Sequence, residues 1–319
     1  MKRLLAALIA ASLLILAFQL AAAQPEAGPV RVASLKGPTT MGLVKLIEDQ
    51  ANASNYTFTV SGTADEVVPL LVRGELDIAL VPANLASVLY NKTQGGVQVA
   101  AINTLGVLYV VEVGDTVHQI ADLKGQTLYS TGKGTTPEYA LNTVLERAGL
   151  DPTRDLMIEF KSEATEVASA LSAGQVKLAM LPQPYVTAVQ AQNPALRIAL
   201  SLTDEWAKLL PDSALVTGVV LMRKDFAQNR PESVAKFMAD YRASTAFTNE
   251  HPAEAARLIE AQGIAKAAVA EKAIALSNIV CIEGEAMKAQ LKGYLDALGA
   301  QDAAAIGGAL PGDDFYLVP

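Results

Sequence analysis

The sequence predicts an α/β fold built from two similar halves. Apolar β-type runs alternate with helical patterns along the first two-thirds of the chain, the signature of parallel sheets covered by helices. A weak internal duplication then repeats the same supersecondary units about 100 residues apart. Of 319 residues, 51% are hydrophobic and 18% charged, which excludes intrinsic disorder and supplies a sizeable core.

The elements follow in chain order. Lys2 and Arg3 precede an apolar run from Leu4 to Leu20, then Ala21-Ala22-Ala23, Gln24 and Pro25. Charged, apolar and small residues in that order read as a secretory signal peptide over 1–23. Its length also approaches that of a membrane anchor, so cleavage and retention both stay open. Cleavage after Ala23 leaves 296 residues (319 − 23) and takes the net charge from −8 to −10 through loss of Lys2 and Arg3.

Val30–Leu35 reads as a strand, Thr40–Asp49 as a helix, Tyr56–Val60 as a strand, Asp65–Val72 as a helix and Leu76–Val81 as a strand. Val97–Val113 is a long β-rich run interrupted by Asn103, Thr104 and Gly106. From Arg223 the pattern is mainly helical, over Pro231–Asn249, Pro252–Gln262, Ala265–Ser277 and Gly284–Ala297. Gly307–Pro319 is loop-like.

The duplication pairs VPLLVRGELDIALVPANLASVL, starting at Val68, with ASALSAGQVKLAMLPQPYVTAV, starting at Ala168. Gly74 aligns with Gly174, and Val81-Pro82 with Leu181-Pro182. Each copy reads as a helix, a glycine stop, a buried strand, a proline turn and a new helix. Upstream, SLKGPTT at Ser34–Thr40 matches STGKGTT at Ser130–Thr136. Both follow a strand and open a helix.

A glycine loop between strand and helix leaves backbone N–H groups free for anions or polar oxygens. Thr39, Thr40, Thr135 and Thr136 either cap their helices or offer hydroxyls to a ligand at the carboxyl ends of strands. Neither loop carries the Gly-Lys-Ser/Thr of a Walker A motif, so nucleotide hydrolysis is not expected. In the proline turns, Asn84 and Gln183 present amides and Tyr185 an aromatic ring. Asn84 as a helix cap and Tyr185 as packing are the structural alternatives. Asn103-Thr104 and Thr217-Gly218 are candidate hinge positions.

Acidic residues outnumber basic ones 33 to 25, which argues against a phosphate-backbone partner. One cysteine and two histidines cannot build the usual structural zinc site. No cofactor and no metal are expected. His118 and His251 read as surface residues, Cys281 as a buried, inert thiol and Trp206 as a packing anchor. Glu48-Asp49 and Asp313-Asp314 read as solvated or capping carboxylates. The sequons at Asn52, Asn55 and Asn91 carry no assigned role.

LKGPTTMGLVKLIED, VRGELDIALVPANLASVLYNK, INTLGVLYVVE, DLKGQTLYSTGKGTTPEYAL, AMLPQPYVTAVQ and LVTGVVLMRKDF together resemble, in order over residues 30–319, the solute-binding proteins of ABC importers. The similar branch is the NitT/TauT group, SsuA-like and NMT1/THI5-like. The resemblance implies a type II periplasmic-binding-protein fold: two lobes, each a mostly parallel sheet flanked by helices, joined by two crossing strands. Residues 30–107 with 219–319 would form lobe 1, and 108–218 lobe 2. It implies ligand contacts from Thr39, Thr40, Met41 and Asn84 in lobe 1, and from Gly134, Thr135, Thr136, Gln183 and Tyr185 in lobe 2. Asn103, Thr104 and Gly218 would lie near the hinge.

No arginine falls in these loops, and Lys36 and Lys133 are the nearby cations. A neutral or weakly anionic organic solute therefore suits the cleft at least as well as an oxyanion. The implied function is an exported, non-enzymatic, monomeric component that closes on a small solute. It would deliver that solute to a membrane permease with its ATPase, without nucleic acid. The alternatives are an enzyme on the same fold, of thiamine-pyrimidine or menaquinone-pathway type, or a stand-alone sensory binding protein. The solute itself is not written in these motifs.

Overall fold

The computed structural model describes residues 28–318 apart from Asn52 and Asp212. The expected signal segment 1–23 and the Asn52 sequon lie outside the described residues. The first half runs β1 (Val30–Leu35), α1 (Pro38–Met41), α2 (Val44–Asp49), β2 (Tyr56–Ser61), α3 (Ala64–Val72), β3 (Ile78–Pro82), α4 (Ala83–Lys92) and β4 (Val97–Leu105). The chain then crosses into β5 (Leu108–Val113), β6 (Thr127–Thr131), α5 (Thr136–Arg147), β7 (Met157–Lys161), α6 (Ala164–Ser172), β8 (Leu178–Pro182), α7 (Tyr185–Gln192), β9 (Leu196–Ser201) and α8 (Leu202–Leu209). It returns through β10 (Val216–Arg223) to α9 (Lys224–Asn229), α10 (Pro231–Glu250), α11 (Pro252–Ala261), α12 (Ala267–Ile274), β11 (Ile279–Ile282) and α13 (Gly284–Gln301).

Two sheets result, in the orders β11-β4-β10-β3-β1-β2 and β7-β6-β8-β5-β9. Leaving β11 aside, they are the same arrangement. In each, four strands run one way and the strand arriving from the other sheet runs against them: β10 between β3 and β4, β5 between β8 and β9. The duplication seen in the sequence is thus a duplication of topology.

Local chemistry explains the repeat. Gly74 and Gly174 have φ of 76° and 72°, a left-handed conformation that costs glycine nothing. Glu75 and Leu76 N–H both donate to Leu70 O, and Gln175 and Val176 N–H both donate to Ala170 O. Each helix end is therefore closed the same way and feeds its strand, β3 or β8, at the same angle.

Two sequence readings differ from the structure. The helix expected over Thr40–Asp49 divides at Gly42-Leu43, where a side chain on residue 42 would strike Ile279, 2.9 Å away, as well as Thr245 and Tyr241. The β-rich run from Val97 breaks at Gly106-Val107, so Asn103 and Thr104 are interior to β4. In addition, Ile279–Ile282 pairs antiparallel with β4 as β11.

The core is asymmetric. One apolar cluster runs through both sheets, from Val81 and Val219 to Leu108, Leu128 and Trp206, and is sealed by Met287, Leu291 and Tyr294 of α13. On the opposite faces the clusters are separate: Ile78, Leu80, Phe237 and Tyr241 under the first sheet, and Val111, Val167, Leu181 and Val189 under the second.

Candidate functional site

The crossover between the sheets sits where the parallel strands end. Gly218, early in β10, pairs with Pro82 at the end of β3 and with Thr104 of β4. Leu108, the first residue of β5, pairs with Pro182 at the end of β8. Gln183 N–H donates to Val107 O at 3.1 Å. The two proline turns therefore flank the two crossing segments, one on each side.

Buried polar side chains collect here without partners. Asn103 is 1% exposed and neither its Nδ2 nor its Oδ1 is hydrogen-bonded. Thr104 Oγ1 and Gln183 Nε2 are likewise buried and unpaired. Gln183 Oε1 accepts from Thr187 Oγ1 at 2.8 Å and from Thr187 N–H, which turns Nε2 to the unpaired side. Folded chains pair nearly all such groups, because an unpaired buried one costs about 1–3 kcal/mol. Asn103, Thr104 and Gln183 hold such atoms at the strand-end crossover, and Asn142, Arg230 and Tyr241 also hold such atoms.

Gly218 shapes this cluster. A Cβ there would stand 2.4 Å from Asn103 Oδ1 and 2.9 Å from Thr39 Cγ2, so only a glycine lets Asn103 and Thr39 lie against β10. Asn103, Thr39 and Gly218 are thus brought together from three different segments.

The other predicted positions are engaged within the protein. Thr39 and Thr40 hydroxyls donate to Leu35 O at 2.8 and 2.5 Å, and Thr40 also meets Ser34 Oγ at 2.7 Å. Met41 is fully buried among Val44, Ala256 and Ile259. Asn84 Nδ2 donates to Ala305 O, while its Oδ1 accepts from Thr136 Oγ1 at 3.3 Å. Thr136 in turn accepts from Tyr294 Oη at 3.3 Å, so a chain of side chains links the two sheets to α13. Thr135 is half-buried and donates to Gly132 O, and the exposed Gly134 N–H donates to Glu138.

Tyr185 is half-buried at the start of α7. It borders a groove of about 500 Å³ between α6 and α7 on one side and Ile264–Val269 on the other. Burial, then the nearby Glu163, raises its phenol above the ordinary range. Lys36 and Lys133 are exposed.

Three polar atoms that the sequence did not single out for ligand contact join the unpaired set: Thr203 Oγ1, Trp206 Nε1 and Thr217 Oγ1. Thr203 packs against Gly106, where a Cβ would come within 2.0 Å of its hydroxyl, and Trp206 stacks 5.5 Å from Tyr294. Nothing in the local sequence marks Thr203, because α8 meets the crossover only through tertiary folding.

Among the described residues the buried charged side chains are Asp77 and Glu112, bonded to Arg31 and Arg197, and no Lys, Arg or His is buried. Among those residues no group of three His, Cys, Asp or Glu could hold a metal ion, and no helix is long and apolar enough to cross a membrane.

Residues 56–255 match the family model NMT1/THI5 like. No curated protein sequence matches the chain. Among solved structures, an ABC transporter from Parabacteroides distasonis is 25% identical, covers 92% of this chain and 99% of its own, and superposes with a TM-score of 0.75. The periplasmic aliphatic sulphonate binding protein SsuA from Escherichia coli is 16% identical, covers 89% of this chain and 92% of its own, and has a TM-score of 0.70. The periplasmic nitrate-binding protein NrtA from Synechocystis PCC 6803 is 13% identical, with coverages of 82% and 75% and a TM-score of 0.60. The last two establish a shared fold.

Proposed function

The chain belongs to the NMT1/THI5-like family, and from that premise we propose that it is the exported solute-binding component of an ABC importer. In this reading residues 30–107 with 219–319 form one lobe and 108–218 the other. The lobes close around a small solute at the crossover and hand it to a membrane permease driven by an ATPase. The observation that carries the reading is the set of buried, unpaired polar atoms where two duplicated sheets exchange strands. The similarity to a solved ABC-transporter structure at 25% identity over nearly the whole chain supports the same role.

Asn103, Thr104 and Gln183 supply the direct polar contacts, and Gly218 makes room for Asn103. Thr39, Thr40, Met41, Gly134 and Thr135 shape the flanking loops. Asn84 and Thr136 hold the closed state together, and Tyr185 borders the groove beside it. Binding without chemistry needs only complementarity and closure, with the solute favouring the closed arrangement. No nucleophile–base pair is assembled at the crossover from these residues.

A thermal-unfolding screen of the purified protein tests the reading. Its panel is sulfonates, nitrate, bicarbonate, thiamine-pyrimidine precursors, aromatic acids and small amides. A solute at 100 times its Kd adds about 2.7 kcal/mol of stability and raises Tm by several degrees. A rise with one chemical class is expected. Failure of every class would remove the binding reading.

A further inference from the structure

We infer that the solute is an uncharged molecule with an amide-type edge, an N–H and a C=O on adjacent atoms as in a lactam, cyclic imide or primary carboxamide, and that Asn103 reads that edge. The inference rests on the cleft reading above and names what the cleft recognises.

Asn103 is 1% exposed, and both atoms of its carboxamide are unpaired. A carboxamide holds a donor and an acceptor side by side in one plane, so a single partner that satisfies both at once carries the complementary pair. Asparagine reads the adjacent donor and acceptor of adenine by the same two-bond geometry. Whichever way the amide is turned, one of its two atoms is an acceptor. An oxyanion held by Nδ2 would leave Oδ1 without a donor.

The surroundings are equally uncharged. Among the described residues no Lys, Arg or His is buried, and the buried carboxylates Asp77 and Glu112 are bonded to arginines. A buried anion without a cation needs a full shell of donors. On the other side of the crossover, Gln183 adds one more donor. Its Oε1 is held by Thr187, which leaves Nε2 to meet a carbonyl. Thr104 and Thr217 hydroxyls can give or accept. A C=O beside an N–H would meet Asn103 and a further carbonyl would meet Gln183 Nε2, the pattern of a cyclic imide.

Titration calorimetry of the purified protein tests this. The amide probes are succinimide, hydantoin and 2-pyrrolidone, and the anion probes are ethanesulfonate, nitrate and acetate. The expected result is binding of amide probes without binding of anions. Asn103→Asp, which replaces the donor by a charged acceptor, should weaken amide binding tenfold or more. Gly218→Ala leaves Asn103 in the chain but pushes its carboxamide aside. It should give a loss in the same direction and serves as the second variant if Asn103→Asp does not fold. Binding of an anion probe, or amide binding unchanged in either folded variant, overturns the assignment of class while leaving the solute-binding role in place. If no amide probe binds the wild-type protein, the class is also overturned. The screen above then decides the role independently.

Discussion

The Thr136 hydroxyl stands between Asn84 Oδ1 and Tyr294 Oη, 3.3 Å from each, and is fully buried. It is the point at which the first sheet, the second sheet and α13 meet through polar atoms. Thr136→Val keeps the shape and strands both partners, which should lower stability by about 1–3 kcal/mol in a denaturant titration. Because the lost bonds exist only when the sheets are together, solute affinity should fall as well. Cys281, read from the sequence as a buried thiol, is half-buried, and burial, then the neighbouring Glu283, pushes its thiol up to about 12. At this scale the sequence identified which residues carry hydrogen-bonding chemistry. It did not show which would be used internally. Met41, at the mouth of a glycine loop, packs under α11 because residues more than 200 positions later fold over it.

At the scale of elements, one buried carboxylate ties the end of β5 to its neighbour. Glu112 accepts from Thr116 N–H and Oγ1, from Val117 N–H and from Arg197 at 2.6 Å, fastening the turn after β5 to β9. Burial pushes its carboxyl up, but the hydrogen bonds and Arg197 outweigh this and hold it below the usual 4.5. A carboxylate lowered by folding stabilises fully above its unfolded value, and that contribution disappears as pH falls through the folded one. Glu112→Gln should therefore cost about 1–3 kcal/mol at pH 7 and lose less stability than wild type on acidification below about pH 4.5. Urea midpoints from pH 7 to pH 3 would show converging curves. Parallel curves would mean that Glu112 is not a source of the acid sensitivity.

Element boundaries were legible where local chemistry sets them. Val30–Leu35 is a strand as the pattern suggests, and the Pro231 and Pro252 helix starts lie where proline favours them. They were not legible where distant residues decide. The helical pattern divides at Gly42, where Ile279, Thr245 and Tyr241 leave no room for a side chain. Asn103 and Thr104, polar residues in an apolar run, read as an interruption, yet they are held in β4 by pairing with β10 and β11.

For the whole molecule, the asymmetric core sets how it can move. The cluster shared by both sheets passes through Trp206, Tyr294 and α13, while the faces opposite carry separate clusters, and the groove beside Tyr185 lies between the second sheet's cluster and the one that holds Met41, Ile259 and Ile264. Separation should therefore pivot about the α13 side and open on the groove side. Tyr109 Oη, on the 108–218 side, donates to Leu276 O of the other proposed lobe. Trp206→Ala removes the largest fully buried side chain and should cost about 3–5 kcal/mol. It should also broaden the range of openings seen by small-angle scattering. An unchanged scattering profile at equal folded fraction would place the pivot elsewhere.

The sequence by itself determined the α/β class, the duplicated halves and the strand-end turns, because periodicity, glycine stops and proline turns act over a few residues at a time. Only the tertiary structure decided which polar groups converge unpaired at the crossover. It also decided that Thr203 packs against Gly106 and Trp206 against Tyr294, and that one core binds the two sheets on a single side. Those outcomes depend on segments brought together from up to 200 residues apart, and hydrogen-bond satisfaction is a property of the assembled neighbours rather than of any residue alone.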